Sequence, residues 1–177
     1  SITVPDNWQP AHFLLYWSKS RKEGSNLEIE RKYLIHHCPL SLDQYSSHRI
    51  QQAYLCTDPV VRVRRQDDSY ILTYKYKGQM VREEYNLPLN QAAYEHLLQK
   101  ADGIVLTKTR YVIPLDEVLT IELDQFDAPY ETLCLAEVEF PSVEMAEAFL
   151  PPPWFGEDVT FSGNYHNWYL SAPESPL

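Results

Sequence analysis

This sequence predicts a mainly β fold of the α+β class: eight antiparallel strands closed into a barrel, with a few peripheral helices. Three observations lead there. Apolar and polar residues alternate with period 2 through eight segments. Helical spacing occurs only in short stretches between or after them. The polar positions of the alternation are largely charged, and their signs are sorted from one segment to the next.

Residues Ser1–Asn26 stand apart. Pro5 and Pro10, an aromatic run and the polar stretch Ser18–Asn26 predict an accessory arm, with a short helix over about Pro10–Ser18 and a linker ending at Gly24–Ser25. The domain proper is expected over residues 27–177. Its strands are expected over Leu27–His36, Arg49–Thr57, Val60–Gln66, Ser69–Lys77, Met80–Pro88, Ile104–Pro114, Leu119–Phe126 and Leu133–Phe140. Asn90 is a good N-cap for a helix over Asn90–Ala101, and Ser142 caps another over Ser142–Leu150. Pro151–Pro153 break the chain before a short last helix near Tyr165–Ser171. No internal repeat or low-complexity tract is present.

A chain of 177 residues, 44% hydrophobic and 23% charged, suits one globular domain with a real core. No run of about 18 apolar residues marks a membrane span. Ala11–Trp17 is apolar but short, and it lacks the basic leader and cleavage site of a signal peptide. Cys38, Cys56 and Cys134 are scattered with no C-x-x-C pair, which predicts reduced thiols in a cytoplasmic protein. A net charge of −10 argues against a nucleic-acid partner. An anionic ligand would have to be caught by a local cluster of Lys and Arg.

The alternation builds such a cluster. In a strand, residues i, i+2 and i+4 share a face. That groups Glu28, Glu30 and Lys32; Arg62 and Arg64; Thr73, Lys75 and Lys77; Arg82 and Glu84; Lys108 and Arg110; Glu122 and Asp124; Glu137 and Glu139. The opposite faces carry Val61 and Val63; Tyr70, Leu72 and Tyr74; Tyr85 and Leu87; Tyr111 and Ile113; Ile121 and Leu123; Ala136, Val138 and Phe140, residues that want a core. A solvated polar face is the ordinary account of one such strand. The sorting by sign strains that account, because like charges at i and i+2 repel unless something binds between them. Converging Lys and Arg can hold several phosphate groups. Facing carboxylates can hold Mg²⁺ or Mn²⁺.

Glu28-Ile29-Glu30-Arg31-Lys32 spells E-x-E-x-K and resembles the defining motif of the CYTH superfamily, the triphosphate tunnel metalloenzymes. Further segments resemble that family in order: Ile50–Asp58, Val61–Arg64, Tyr70–Lys75, Arg82–Tyr85, Lys108–Tyr111, Glu122–Phe126, Leu135–Phe140 and the tail Gly163–Leu170. The resemblance runs from about Leu27 to Ser171. It implies an eight-stranded β tunnel whose lumen binds a small anionic triphosphate and one or two divalent metals. Carried over by position, it implies Lys32, Arg62, Arg64, Lys75, Arg82, Lys108 and Arg110 as substrate ligands. Metal ligation falls first on Glu28, Glu137 and Glu139 and next on Glu30. Glu84, Glu122 and Asp124 would bind a second metal or balance the basic lining. Lys32 and a water-activating Glu84 or Asp124 are the catalytic candidates.

This chain departs from the family pattern at Asn86, where an acid is common, and at His166, where a basic residue is common. Lys77 is an extra lysine on the charged face, and Ala53 replaces a frequent glycine. The arm suits a structural role or an oligomer contact, a homodimer included. His36 and His37 are expected at a strand end without a catalytic role, and Tyr165, Trp168 and Tyr169 as packing for the last helix. Hydrolysis of inorganic triphosphate is the leading activity the resemblance implies. Nucleoside or thiamine triphosphate hydrolysis, class IV adenylyl cyclase and a non-catalytic polyphosphate-binding module are the alternatives.

Overall fold

The structure is a computed structural model and describes residues 27–76 and 78–172, so the predicted arm and Lys77 lie outside it. Eight strands follow one another: β1 (Leu27–Leu34), β2 (Ser46–Thr57), β3 (Val60–Gln66), β4 (Ser69–Lys75), β5 (Val81–Leu89), β6 (Asp102–Pro114), β7 (Thr120–Phe126) and β8 (Cys134–Glu139). Helix α1 (Gln91–Leu98) joins β5 to β6, and α2 (Val143–Ala148) and α3 (Asn167–Leu170) follow β8. The strands close into a barrel in the order β1-β5-β4-β3-β2-β6-β7-β8. Two antiparallel meanders, β2–β5 and β6–β8, are joined along β2 and β6, and β1 completes the ring between β5 and β8.

The strand boundaries follow their partners. β2 starts at Ser46 rather than Arg49 because Ser46, Ser47 and His48 pair with Val112, Tyr111 and Arg110. β6 starts at Asp102, which pairs with Tyr54, and the positive φ of 72° at Gly103 falls on that extension. β1 pairs with β5 only from Leu27 to Ile29. Beyond that point the chain after α2 seals the ring: Val159 donates its N–H to the Lys32 carbonyl at 2.8 Å, and Leu34 donates to Glu157 at 2.9 Å. The helices fall where their caps predict. Asn90 accepts from the Ala93 N–H at 2.8 Å, and Ser142 accepts from Met145 at 3.3 Å. No helix among the described residues is long and apolar enough to cross a membrane.

Because the charged face of the sheet points inward, the apolar face points out and must be covered from outside. Two apolar clusters do this, and a third fills one end of the barrel interior. On the outer face of β1, β8 and β7, Tyr33, Leu123, Ala136 and Val138 pack with Ala146 of α2 and with Phe149 and Phe155. The Tyr33 and Phe155 rings lie 5.0 Å apart. Helix α1 sets Tyr94 against Ala53 and Val63 of β2 and β3. The third cluster, Tyr54, Leu106, Phe126, Tyr130, Leu135, Val159 and Leu170, gathers around α3 at one end of the barrel.

One expectation needs correction. Tyr85 and Leu87 were expected in a core, yet they are 42% and 56% exposed. No described element covers the outer face of β5 there, so the alternation marks the side of the sheet but not what lies over it.

Leu123 is fully buried at the centre of the largest cluster. Leu123→Ala should cost about 2–5 kcal/mol in urea unfolding, whereas Leu87→Ala on the uncovered face should stay within about 0.5 kcal/mol.

Candidate active site

The barrel encloses a cavity of about 1400 Å³ whose lining includes Glu28, Glu30, Lys32, Arg62, Arg64, Lys75, Arg82, Glu84, Arg110, Glu122, Glu137 and Glu139. Period 2 turns these alternate residues inward, and the register sets most of them beside an opposite charge, with Glu30–Glu139 and Glu122–Glu137 as like-charged pairs. Glu28 pairs with Arg82, Lys32 with Glu137, Lys75 with Glu84 and Arg110 with Asp124. Lys108 and Asp124 lie behind this surface, fully buried. Every described charged site residue expected from the sequence is therefore in the barrel interior. His36 and His37 are exposed beyond the end of β1.

The side chains form one connected network. Arg110 donates to Asp124 through Nε at 2.7 Å and Nη2 at 2.6 Å, to Glu137 at 2.6 Å, and to Glu122. Lys108 bonds Asp124 and lies 5.2 Å from the Phe126 ring centroid. Lys32 Nζ meets Glu137 at 2.8 Å. Lys75 Nζ reaches Glu28 at 2.8 Å and Glu84 at 2.5 Å. Arg82 donates to Glu28 at 2.6 Å and to Glu30.

Two residues stand outside this pairing. Among the described residues, the buried Arg62 donates only to the Thr73 hydroxyl at 3.2 Å, and its Nε is buried without a hydrogen-bond partner. Thr73 in turn donates to Asn86, whose amide donates to Glu84 at 2.6 Å. Glu139 has neither an ion-pair nor a hydrogen-bond partner among the described residues.

The electrostatics follow from these contacts. Burial pushes Glu28 and Glu137 upward, but Lys75 and Arg82 around the first, and Lys32, Arg110 and Lys108 around the second, outweigh it. Both carboxyls are held well below their usual range. Asp124 is lowered in the same way, against its burial, by Arg110 and Lys108. Glu30 goes the other way: burial and the Glu28 charge raise it over the pull of Arg82 and Lys32. Glu139 is pushed up to about 7 by desolvation and by Glu28, Glu122, Glu84 and Glu30 around it. Burial lowers Lys108 to about 8 despite Asp124. Burial, Lys32 and Arg82 bring His166 down to about 4, so its ring is neutral at pH 7.

The donor set suits a divalent metal by chemistry: it is all carboxylate oxygen, and Glu139 sits among acids whose mutual repulsion a cation would relieve. Among the described residues, no three His, Cys, Asp or Glu side chains converge on a point that could hold an ion. The lumen acids other than Glu139 turn toward Lys and Arg instead. Binding a metal would require them to exchange those partners.

Sequence reasoning did not select Tyr54, Asn167 and Trp168 as lining residues, yet all three face the cavity. Tyr54 lay inside a quoted motif and Trp168 was expected only to pack, so spacing carried no signal that either reached the lumen.

A CYTH domain model matches residues 26–149. The inorganic triphosphatase of Nitrosomonas europaea is 38% identical over 147 residues, which covers 81% of this chain and 96% of the relative. The inorganic triphosphatase of Acetivibrio thermocellus is 32% identical over 151 residues, covering 79% and 90%. The crystal structure of the inorganic triphosphatase NE1496 superposes with a TM-score of 0.61 at 37% identity, over 81% of this chain and 93% of that one. The putative adenylyl cyclase HpAC1 from Hippeastrum, described as having a dominant triphosphatase activity, shares the fold at 20% identity and a TM-score of 0.51, over 68% and 82%.

Asp124→Ala would leave Lys108 and Arg110 short of a buried partner and should cost about 3–5 kcal/mol in urea unfolding. Glu139 gives the opposite pH dependence to its salt-bridged neighbours. Its folded pKa of about 7 lies above that of an unfolded glutamate, so the native state holds the proton more tightly. Its contribution to stability therefore falls as pH rises from about 4 to about 7. Urea midpoints across that range should decline more steeply in the wild type than in Glu139→Gln.

Proposed function

This chain belongs to the CYTH domain family, and from that premise we propose that it hydrolyses a linear triphosphate, inorganic tripolyphosphate first, with Mg²⁺ or Mn²⁺. The observation that carries the reading is the convergence of basic side chains from β1, β3, β4, β5 and β6 on one cavity inside a closed barrel. A triphosphate carries several negative charges in a row, and a ring of cations in a low-dielectric lumen matches it better than a flat basic patch would. Arg62 is the clearest anion ligand: its guanidinium is buried, has no carboxylate partner among the described residues and has its Nε buried without a hydrogen-bond partner there.

In this reading Arg62, Arg64, Lys75 and Arg82 grip the phosphate chain, and Lys32 and Arg110 neutralise the group under attack. Water attacks the terminal phosphorus, the P–O bond to the bridging oxygen breaks, and the electron pair leaves with diphosphate. Charge spreads over the phosphoryl oxygens in the transition state, so positioned cations supply most of the catalysis. Asp124 is fully buried and tied to two cations, so it orients Lys108 and Arg110. Glu84, at the lumen surface, is the better placed of the two acids to accept the proton of the attacking water. Glu28, Glu137 and Glu139 would hold the divalent metal, with Glu30 next, and Glu122 would serve a second metal or balance the lining. A bound metal would supply Lewis-acid polarisation of the phosphate oxygens and help lower the pKa of water. Like-charge crowding around Glu139 supports this assignment.

Phosphate release from tripolyphosphate, ATP and thiamine triphosphate, each with Mg²⁺ or Mn²⁺, tests the reading. Tripolyphosphate should be turned over best, and Arg62→Ala should lower its kcat/KM by about 10²–10³-fold, the worth of one buried charge-assisted contact. Glu139→Gln should remove metal-dependent turnover while the fold survives, and undiminished turnover would discard the metal assignment. Cyclic AMP formed from ATP would favour a cyclase, and binding without turnover a non-catalytic module.

A further inference from the structure

The two ends of the cavity differ. One mouth is lined by Ser46, His48, Asp68, Ser69 and Val118, and Asp68, Ser69 and Val118 are exposed to solvent. The other end runs into the apolar cluster around α3. Leu170 is fully buried there, and its carbonyl accepts from the Tyr130 hydroxyl at 2.7 Å. Tyr54, Val60 and Trp168 belong to that cluster and also line the cavity, so the lumen stops on it.

His166, Asn167 and Trp168 present the face of this stop. His166 is buried, and its ring stacks on Trp168 at 6.1 Å between centroids and 15° between planes. The charged groups around it are Lys32, Arg82, Lys75 and Glu137. Beside and beyond those cations the described lining toward α3 is Tyr54, Val60, His166, Asn167 and Trp168, with no Lys or Arg among them. A phosphoryl group pushed past Lys32 and Lys75 would lose water without gaining a counter-charge.

We propose that His166 and Trp168 act as an end stop: the terminal phosphoryl group of a linear phosphate chain abuts them, which fixes the register of the chain against the lumen cations. The proposal rests on the triphosphatase reading and adds a polarity to it. The chain enters from the open mouth, cleavage is confined to one bond counted from the stopped end, and any extra phosphate or organic substituent projects toward the mouth.

Tetrapolyphosphate reads the register, because its outer and inner bonds give different products. Attack of water on an outer phosphorus yields phosphate and triphosphate, and cleavage of the central bond yields two diphosphates. With the full chain, Mg²⁺ and early time points resolved by ion chromatography, the wild type should give phosphate and triphosphate. In Trp168→Ala and His166→Ser the chain should slip toward the vacated space, and the share of diphosphate should rise about tenfold, the effect of removing about 1.4 kcal/mol of register preference. His166→Gln, neutral and of similar size, should keep the wild-type ratio. Circular dichroism and melting identify which variants are folded, and either shortened variant suffices. A wild type that turns over tripolyphosphate but not tetrapolyphosphate also overturns the end stop, because the open mouth should accept the extra phosphate. The end stop is overturned if the wild type yields both product sets without preference, or if the folded shortened variants keep wild-type products. Absence of any tripolyphosphate turnover in the wild type would instead strike the functional reading beneath it.

Discussion

Closing a sheet whose charged residues lie mostly on one face forces acids and bases into a single enclosed space, and their mutual neutralisation is the condition on which this fold depends. Each lumen charge has given up part of its hydration, so each needs a partner close at hand. The register provides most of them across neighbouring strands: Glu28 beside Arg82, Lys32 beside Glu137, Arg110 beside Asp124. The consequence is a network in which removing one member leaves another exposed to the full cost of burial.

The same inversion dictates the outside. A barrel lined with charge over most of its length leaves only one end for an internal apolar cluster, so much of its stability must come from apolar surface buried on its exterior. That explains why short helices matter here. Helix α1 brings Tyr94 onto Ala53 and Val63, and α2 brings Ala146 over Tyr33 and Val138. Arg31, the outward residue between Glu30 and Lys32, ties β1 to this cover by donating to the carbonyls of Ala146 at 3.0 Å and Phe149 at 3.2 Å. Around α3 the apolar cover turns inward and becomes the end wall of the cavity.

Within the lumen the exceptions to pairing say most about chemistry. Among the described residues, Arg62 is a cation without an acid, and Glu139 an acid without a cation. They come from β3 and β8, on the basic and acidic sides of the ring. A polyanion and a divalent cation bound together would complete both sides at once, which is how a triphosphate and its metal present themselves. The remaining ion pairs fix the other lumen charges against one another, so under the proposed function substrate and metal would have to replace one partner of each pair.

Much of this was legible in the chain. All eight strands and the three α-helices of the described residues fall on expected segments, because period-2 alternation and the caps Asn90 and Ser142 are local signals. Which residues share a face was equally local, so Glu28, Glu30 and Lys32 could be grouped without coordinates. Three things could not be read. The alternation does not say what covers a face, and Tyr85 and Leu87 turned out uncovered. Strand sequences do not state register, so the partner of each charge, and hence the raised carboxyl of Glu139 beside the lowered one of Glu137, emerged only from pairing across strands. His166 and Trp168 reach the lumen from a four-residue helix distant in sequence from the barrel strands they close. Periodicity is a property of neighbours along the chain. Neutralisation and closure are properties of neighbours in space, and only the tertiary fold decides those.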